Sequence, residues 1–250
     1  MKVNRIDVRH IKGKELDIHF FGDQHIGSKD CDIEAVEKYI EWLKNQKNAI
    51  VVLMGDTINS ALKGSVGAGS YDDIMNPEQQ IETAIEMFAP IADKIVGVHN
   101  GNHGNRIYNE TTLSPEKIIA MGLGVPYLGD TCFHHLRFKD ITYTLFTAHG
   151  STGSGTVGGA LTSCMKYANF AIADIYAMAH THQLADHSVP VFSVSLKDKT
   201  IEKKKRHFVL TGGFMKWKGS YAESKNYAPL KIGAAKATVR GDRFDVHVRV

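Results

Sequence analysis

The sequence predicts an α/β fold, on three observations. Apolar runs of strand length alternate with segments whose apolar residues recur at helical spacing. Five of the apolar runs stop at a polar cluster rich in Asp, Asn, His and Gly. The 250 residues are 43% hydrophobic and 23% charged, a length and composition that supply a full core. A single domain over residues 1–250 is expected, because no repeat, low-complexity tract or linker interrupts the chain.

In chain order, residues 6–8 and 16–21 read as strands, the second (LDIHFF) running into Gly22-Asp23. Cys31 or Asp32 starts a helix carrying Ile33, Val36, Tyr39, Ile40 and Leu43 at helical spacing. Residues 50–54 form a continuous apolar run, as in a strand buried on both faces, and end at Gly55-Asp56. The Gly/Ser-rich stretch 63–71 reads as a loop, and Pro77 opens a helix striped by Ile81, Ala84, Ile85 and Phe88. A strand at 95–98 follows, then a helix from Ser114-Pro115 to Met121. Residues 133–138 and 141–147 read as a hairpin ending at His149-Gly150. A helix near 161–170 precedes a strand at 172–178 that stops at His180-Thr181-His182. Segments 189–194, 207–211, 232–239 and 244–250 complete the strands, with the charge block 202–206 read as a solvated hairpin turn.

Composition narrows the function classes. Thirty Lys and Arg against 27 Asp and Glu leave a net charge of +3, too little for nucleic-acid binding by bulk charge. Three scattered cysteines without C-x-x-C exclude a disulfide framework and a zinc knuckle and fit a reducing compartment. The charged N-terminus has no apolar core of a secretory signal, and no run approaches a membrane span, so a cytoplasmic protein without membrane contact is expected. Thirteen histidines are the excess, six of them between His134 and His187.

The five strand-end clusters are Asp23-Gln24-His25, Gly55-Asp56, Asn100-Gly101-Asn102-His103, His149-Gly150 and His180-Thr181-His182. In an α/β fold, loops at the carboxyl ends of strands converge on one crevice, so these clusters are expected to be neighbours in space. Mixed O and N donors suit Mn, Fe, Zn or Co better than Ca or Mg. Two cations about 4 Å apart need a bridging anion, and the two oxygens of Asp56 can serve. In Asp23-x-His25 and His180-x-His182, the i, i+2 spacing puts both side chains on one side of an extended segment. Glycines 22, 55, 101 and 150 let the backbone turn closely around the ions.

The ordered pattern D-x-H … G-D … G-N-H … H … H-x-H resembles the calcineurin-like metallophosphoesterase superfamily, over residues 22–182. The resemblance implies a four-layer α/β/β/α sandwich with two central mixed sheets and a site for two divalent ions, Mn first, with Fe, Zn, Co or Ni as alternatives. By position it implies Asp23, His25 and His182 on one metal, Asn102, His149 and His180 on the other, and Asp56 bridging. His103 is then the non-ligand histidine at the leaving group, and Arg106, three residues on, is a candidate clamp for a phosphate oxygen or a surface ion pair. His99 reads as structural. The chain departs from the family pattern at Asn59, at Gly104 (where an acid commonly follows G-N-H) and at Ala179. Gly104 leaves open what orients His103.

The expected chemistry is phosphoester hydrolysis. A water shared by two metals is acidified to hydroxide near neutral pH and attacks phosphorus in line, while His103 serves the leaving oxygen. The sequence leans to phosphodiesters, nucleic acid or nucleotides among them, with Lys216-Trp217-Lys218, Tyr221 and the basic block 203–206 as a candidate strand track or as plain packing and solvated residues. A phosphomonoesterase, a protein phosphatase-like activity or a non-enzymatic scaffold are the alternatives. The formal G-x-G-x-x-G at 153–158 lacks the acid that a dinucleotide site needs at the end of the following strand, although its backbone can approach a phosphate.

Overall fold

The computed structural model describes residues 1–65, 69–194 and 199–250, so part of the loop read at 63–71 lies outside the described residues. Among the described residues, twelve strands form one continuous pairing network that divides into two halves. In the first half, β1 (Lys2–Asp7) pairs with β6 (Thr131–Phe138), followed by β7 (Ile141–Ala148), β8 (Ile175–Met178), β10 (Ile201–Gly213) and β9 (Leu184–Val194). In the second half, β12 (Val246–Arg249) and β11 (Gly233–Arg240) lead to β2 (Glu15–Phe21), β3 (Ala49–Leu53), β4 (Ile95–His99) and β5 (Tyr127–Gly129). The strands of the two halves are paired through Gly212 with Ala234 and Gly213 with Gly233. Both halves mix parallel and antiparallel neighbours.

Alternation along the strands makes the layers. Ile18, Phe20, Ile50 and Val52 face a core shared with Leu136, Leu145, Ala177 and Val209 of the other half. The intervening residues Phe21, Val51 and Leu53 face α1 (Ile33–Lys44) and α2 (Pro77–Phe88), packing on Val36, Leu43, Ala84 and Phe88. On the opposite side, Phe146, Tyr176 and Phe208 pack on Ala160 and Cys164 of α5 (Val157–Met165). The order is therefore helix, sheet, sheet, helix. Each helix is started by its sequence: Asp32 caps α1, Asn76 and Gln79 form a capping box on α2 ahead of Pro77, and Thr156 caps α5.

Two expectations are corrected. A helix that the sequence pattern does not predict, α3 (Gly104–Thr111), begins directly after His103, and α4 (Pro115–Gly122) follows after a left-handed Thr112. The charge block 202–206 lies inside β10, paired with β9 from Ile201–Val194 to Thr211–Leu184, and is not a turn. Its lysines alternate faces of an exposed two-stranded ribbon, so charge density alone did not distinguish turn from edge strand. The last helix, α6 (Tyr221–Ser224), is a single turn. The cysteines are all free and buried, and among the described residues no helix is long and apolar enough to cross a membrane.

Candidate metal centre

All five polar clusters lie just past the carboxyl ends of strands: β2, β3, β4, β7 and β8. Parallel pairing aligns β2, β3 and β4 in one half and β7 with β8 in the other. The loops after β2 and β3 are laced together, with the N–H of Asp23 donating to the Gly55 carbonyl (3.1 Å) and that of His25 to the Asp56 carbonyl (3.0 Å). The sequence reading treated D-x-H and H-x-H as extended. Instead Asp23, His25, Asp56, His180 and His182 all have left-handed backbones, with φ between 48° and 70°. A non-glycine residue in that region costs on the order of 1–3 kcal/mol and is held only where its surroundings over-determine it. Five such residues in one crevice are the strain signature of a built site.

Among the described residues the Asp and His side chains form three overlapping groups that could hold an ion: Asp23 with His25 and His182, Asp56 with His149 and His180, and His25 with Asp56 and His103. In the first, His25 Nε2 lies 3.2 Å from His182 Nε2, 3.9 Å from Asp23 Oδ1 and 4.0 Å from Asp56 Oδ2. In the second, Asn102 Oδ1 lies 2.9 Å from His149 Nε2 and 2.7 Å from His180 Nδ1, and Asp56 Oδ2 lies 3.2 Å from His149 Nε2. His149 donates its Nδ1–H to the Met54 carbonyl at 3.0 Å, which leaves Nε2 as the free donor atom. Asp23 Oδ1 and His25 Nδ1 are buried with no hydrogen-bond partner. Two imidazole nitrogens 3.2 Å apart beside an unsatisfied carboxylate oxygen form a set of lone pairs that a cation would complete.

Electrostatics agree. Burial, and next the neighbouring His103 ring, pushes His25 well below the ordinary histidine value, and burial pushes His182 down to about 4. Both are therefore neutral donors. Burial raises the Asp23 carboxyl to about 8, with Asp56 adding to it. Burial also opposes the charges on Asp56 and His149, but their mutual attraction wins: Asp56 is held well below the carboxylate range and His149 rises to about 9. Without a cation, a buried ion pair occupies the middle of the site.

His103 belongs to the third group, its Nε2 3.9 Å from Asp56 Oδ2. Its orientation comes from residues that the sequence did not single out for it. The His103 Nδ1–H donates to the Asn59 carbonyl at 2.8 Å, and Arg106 donates from one guanidinium nitrogen to that carbonyl (3.1 Å) and from another to His103 Nε2 (3.1 Å). Asn59 is held in turn by its side-chain amide on Asp73 (2.6 Å), while Gln80 accepts from the Ser60 N–H (2.9 Å). His103 also donates its backbone N–H to Asp56 Oδ1 at 2.9 Å. Because Asp73 and Gln80 are ordinary polar residues at ordinary positions, no periodicity marks them.

Gly104 has a second consequence. A Cβ there would coincide with the carboxyl of Glu116, a fully buried side chain of α4 whose two oxygens have no hydrogen-bond partner. Burial, then the charge on Asp56, raises Glu116 to about 8. A Glu in the first turn of a helix usually faces solvent, so sequence gives no sign of its burial. His99 is structural as expected: its Nε2 and His134 Nε2 lie 2.6 and 2.7 Å from the Thr147 hydroxyl.

No family model and no curated protein matches the chain. Among solved structures it is similar to Vps29 of Chaetomium thermophilum, at 12% identity, 94% of this chain and 96% of that one, with a TM-score of 0.43. It is similar to the calcineurin-like phosphoesterase YfkN of Bacillus subtilis at 12% identity, 78% and 91% coverage and 0.35. For the nuclease MPE of Pseudomonas putida the values are 10%, 93%, 87% and 0.39. Similarity at this level concerns the outline of the fold, and the chemistry of the site stands on its own residues.

Proposed function

We propose that this chain is a phosphodiester hydrolase of the calcineurin-like type, working with two divalent metal ions. One observation carries the reading: a single carboxylate, Asp56, stands between two separate donor groups, 3.2 Å from His149 and 4.0 Å from His25. Asp23, His25 and His182 would hold one ion and Asn102, His149 and His180 the other, with Asp56 shared. Mn fits the mixed carboxylate, amide and imidazole set, and Fe, Zn, Co and Ni are compatible with it. When bound, such ions supply an acidified water nucleophile and offset charge on the phosphoryl oxygens.

The remaining work falls to the chain's own groups. His103, with Nδ1–H fixed on Asn59, turns Nε2 toward the centre, where in its protonated form it gives a proton to the departing oxygen. The Arg106 guanidinium lies 3.1 Å from that nitrogen, and moving it onto a phosphate oxygen frees Nε2 for this task. A cavity of about 520 Å³ opening beside His180 and His182 has room for a second ester substituent.

Metal-free protein reconstituted with Mn is assayed in parallel on bis(4-nitrophenyl) phosphate and 4-nitrophenyl phosphate, and its metal content is measured. The expected result is two ions per chain and preferential cleavage of the diester. Cleavage of the monoester alone would overturn the diester assignment, and one ion or none per chain would overturn the shared-carboxylate centre.

A further inference from the structure

The cavity beside the metal centre has a wall whose chemistry the hydrolytic reading leaves unused. It is bounded by His180 and His182, by the glycine-rich turn 152–155, and by the segment 215–232, which brings Trp217, Tyr221 and Tyr227 together with Lys216 and Lys231. Its volume of about 520 Å³ falls within the roughly 300–1,000 Å³ typical of ligand sites.

The aromatic wall is fixed in place. The Trp217 Nε1–H donates to the Tyr227 carbonyl at 2.7 Å, and the rings of Tyr221 and Tyr227 meet edge to face with centroids 6.3 Å apart. Ser220 donates its hydroxyl to the Trp217 carbonyl at 2.6 Å and caps the short α6. Asp30, buried beneath, accepts from the backbone N–H of Tyr221 at 3.1 Å through its carboxylate and from Lys216 N–H at 2.8 Å through its carbonyl. The same stretch is tied to the centre, since the Phe214 N–H donates to the Asp23 carbonyl at 3.0 Å. Even so, Tyr221 and Tyr227 remain 36% and 57% exposed. Rings this exposed and flanked by lysines, with Lys225 over the Tyr221 ring at 5.5 Å, suit a flat, π-rich, anionic ligand.

We propose that this cavity is a nucleoside subsite, in which Trp217 and the two tyrosines stack the base of a nucleotide-containing phosphodiester whose phosphorus lies at the His180 and His182 end. The proposal deepens the phosphodiesterase reading and rests on it for the position of the phosphorus. Stacking on an aromatic face tolerates any base, so the subsite selects nucleotides as a class and no particular sequence. Lys216 serves a flanking phosphate, with Lys231, whose ammonium donates to the Val250 oxygen at 3.1 Å, adding positive charge at the rim, and the backbone N–H groups of Gly153 and Gly155 are candidate neutral donors.

Two measurements test it, one independent of catalysis. With Trp42→Phe, Trp217 is the chain's single tryptophan, and its fluorescence reports occupancy directly. Adenosine 5′-monophosphate should quench it saturably, and ribose 5-phosphate should bind about tenfold more weakly or worse. By calorimetry, Trp217→Ala should weaken adenosine 5′-monophosphate about tenfold, and Trp217→Phe, which keeps an aromatic face, should stay within about threefold of wild type. Equal binding of the two ligands, or unchanged affinity in Trp217→Ala, would overturn the subsite. The second measurement is the ratio of kcat/KM for thymidine 5′-(4-nitrophenyl phosphate) over methyl 4-nitrophenyl phosphate. It should fall about tenfold in Trp217→Ala and recover in Trp217→Phe, with Tyr221→Leu as a second variant if Trp217→Ala does not fold. If wild type hydrolyses neither ester, the phosphoesterase reading fails while the fluorescence still decides the subsite. If it hydrolyses both and the ratio does not move, the subsite fails and the hydrolase stands.

Discussion

Replacing Glu116 by Gln should stabilise the metal-free protein at neutral and alkaline pH and do progressively less as pH falls. Glu116 is fully buried, its oxygens have no partner, and its carboxyl titrates at about 8 in the fold against 4.5 in an unfolded chain. The folded state therefore binds this proton more tightly than the unfolded state. For an acid whose folded value is raised, stability is fully present below 4.5 and is lost as pH rises toward 8. Each pH unit in that window costs about 1.4 kcal/mol, so the loss is about 3 kcal/mol at pH 7 and about 5 kcal/mol once pH passes 8. Gln stays neutral throughout and shows none of this slope. Its amide meets the same partnerless surroundings, which adds a cost that does not vary with pH. The assay is urea unfolding of both proteins with chelator present at pH 5, 6, 7 and 8. The quantity read is the difference in stability, because titrations common to both proteins cancel in it. A slope of about 1.4 kcal/mol per pH unit in favour of Gln is expected between pH 5 and 8. A flat difference would refute the reasoning, since it would mean that the carboxyl finds solvent or a partner in solution.

Gly104→Ala places a Cβ on the Glu116 carboxyl and should cost about 1–3 kcal/mol in the same unfolding assay, with most of the loss recovered when Glu116→Ala is added. His103→Ala should lower kcat by about 10²–10⁴ while metal content, read by elemental analysis, stays at the wild-type value. Asp56→Asn removes the charge shared by both donor groups, so bound metal per chain should drop for both ions together, and retention of one ion would argue against sharing. His134 is held neutral by burial at about 3, below its unfolded value of 6.5, so its contribution is complete above pH 6.5 and lost as pH falls. Unfolding at pH 5 should thus be easier than at pH 7 by about 2 kcal/mol from this group, and His134→Gln should flatten that dependence.

The parts of the site legible in the sequence were those set by strand geometry. An apolar run that stops at Asp-x-His or Gly-Asp announces both a strand and the end at which polar side chains collect, and Asp23, His25, Asp56, Asn102, His149, His180 and His182 come together there. The local backbone was not legible. Left-handed φ at Asp23, His25, Asp56, His180 and His182 is imposed by hydrogen bonds between loops, such as that from the His180 N–H to Asp23 Oδ2 at 2.9 Å, and no residue in those tripeptides prefers it as glycine would. Helix α3 was missed for a related reason. Gly104 and Asn105 are poor helix formers, but the His103 N–H is captured by Asp56 and the chain starts a helix there.

Two of the three departures from the metallophosphoesterase motif pattern, Asn59 and Gly104, form one arrangement in the structure. An acid directly after His103 would need the space that the Glu116 carboxyl fills, so position 104 is a glycine because α4 has already delivered a carboxyl there. That carboxyl makes no hydrogen bond to His103, so it cannot orient the ring. Orientation passes instead to the Asn59 carbonyl, a backbone acceptor that no substitution at 59 removes directly. What the Asn59 side chain contributes is the bond to Asp73 that keeps that carbonyl in place, and Arg106 closes the arrangement by binding both the carbonyl and the ring. Asn59→Ala should therefore leave metal content unchanged and lower kcat through a misplaced His103. Asn59→Asp puts a carboxylate against the Asp73 carboxylate and should do so more severely. If Asn59→Ala instead matches wild type in kcat, the ring is held by Arg106 alone and the carbonyl is a bystander.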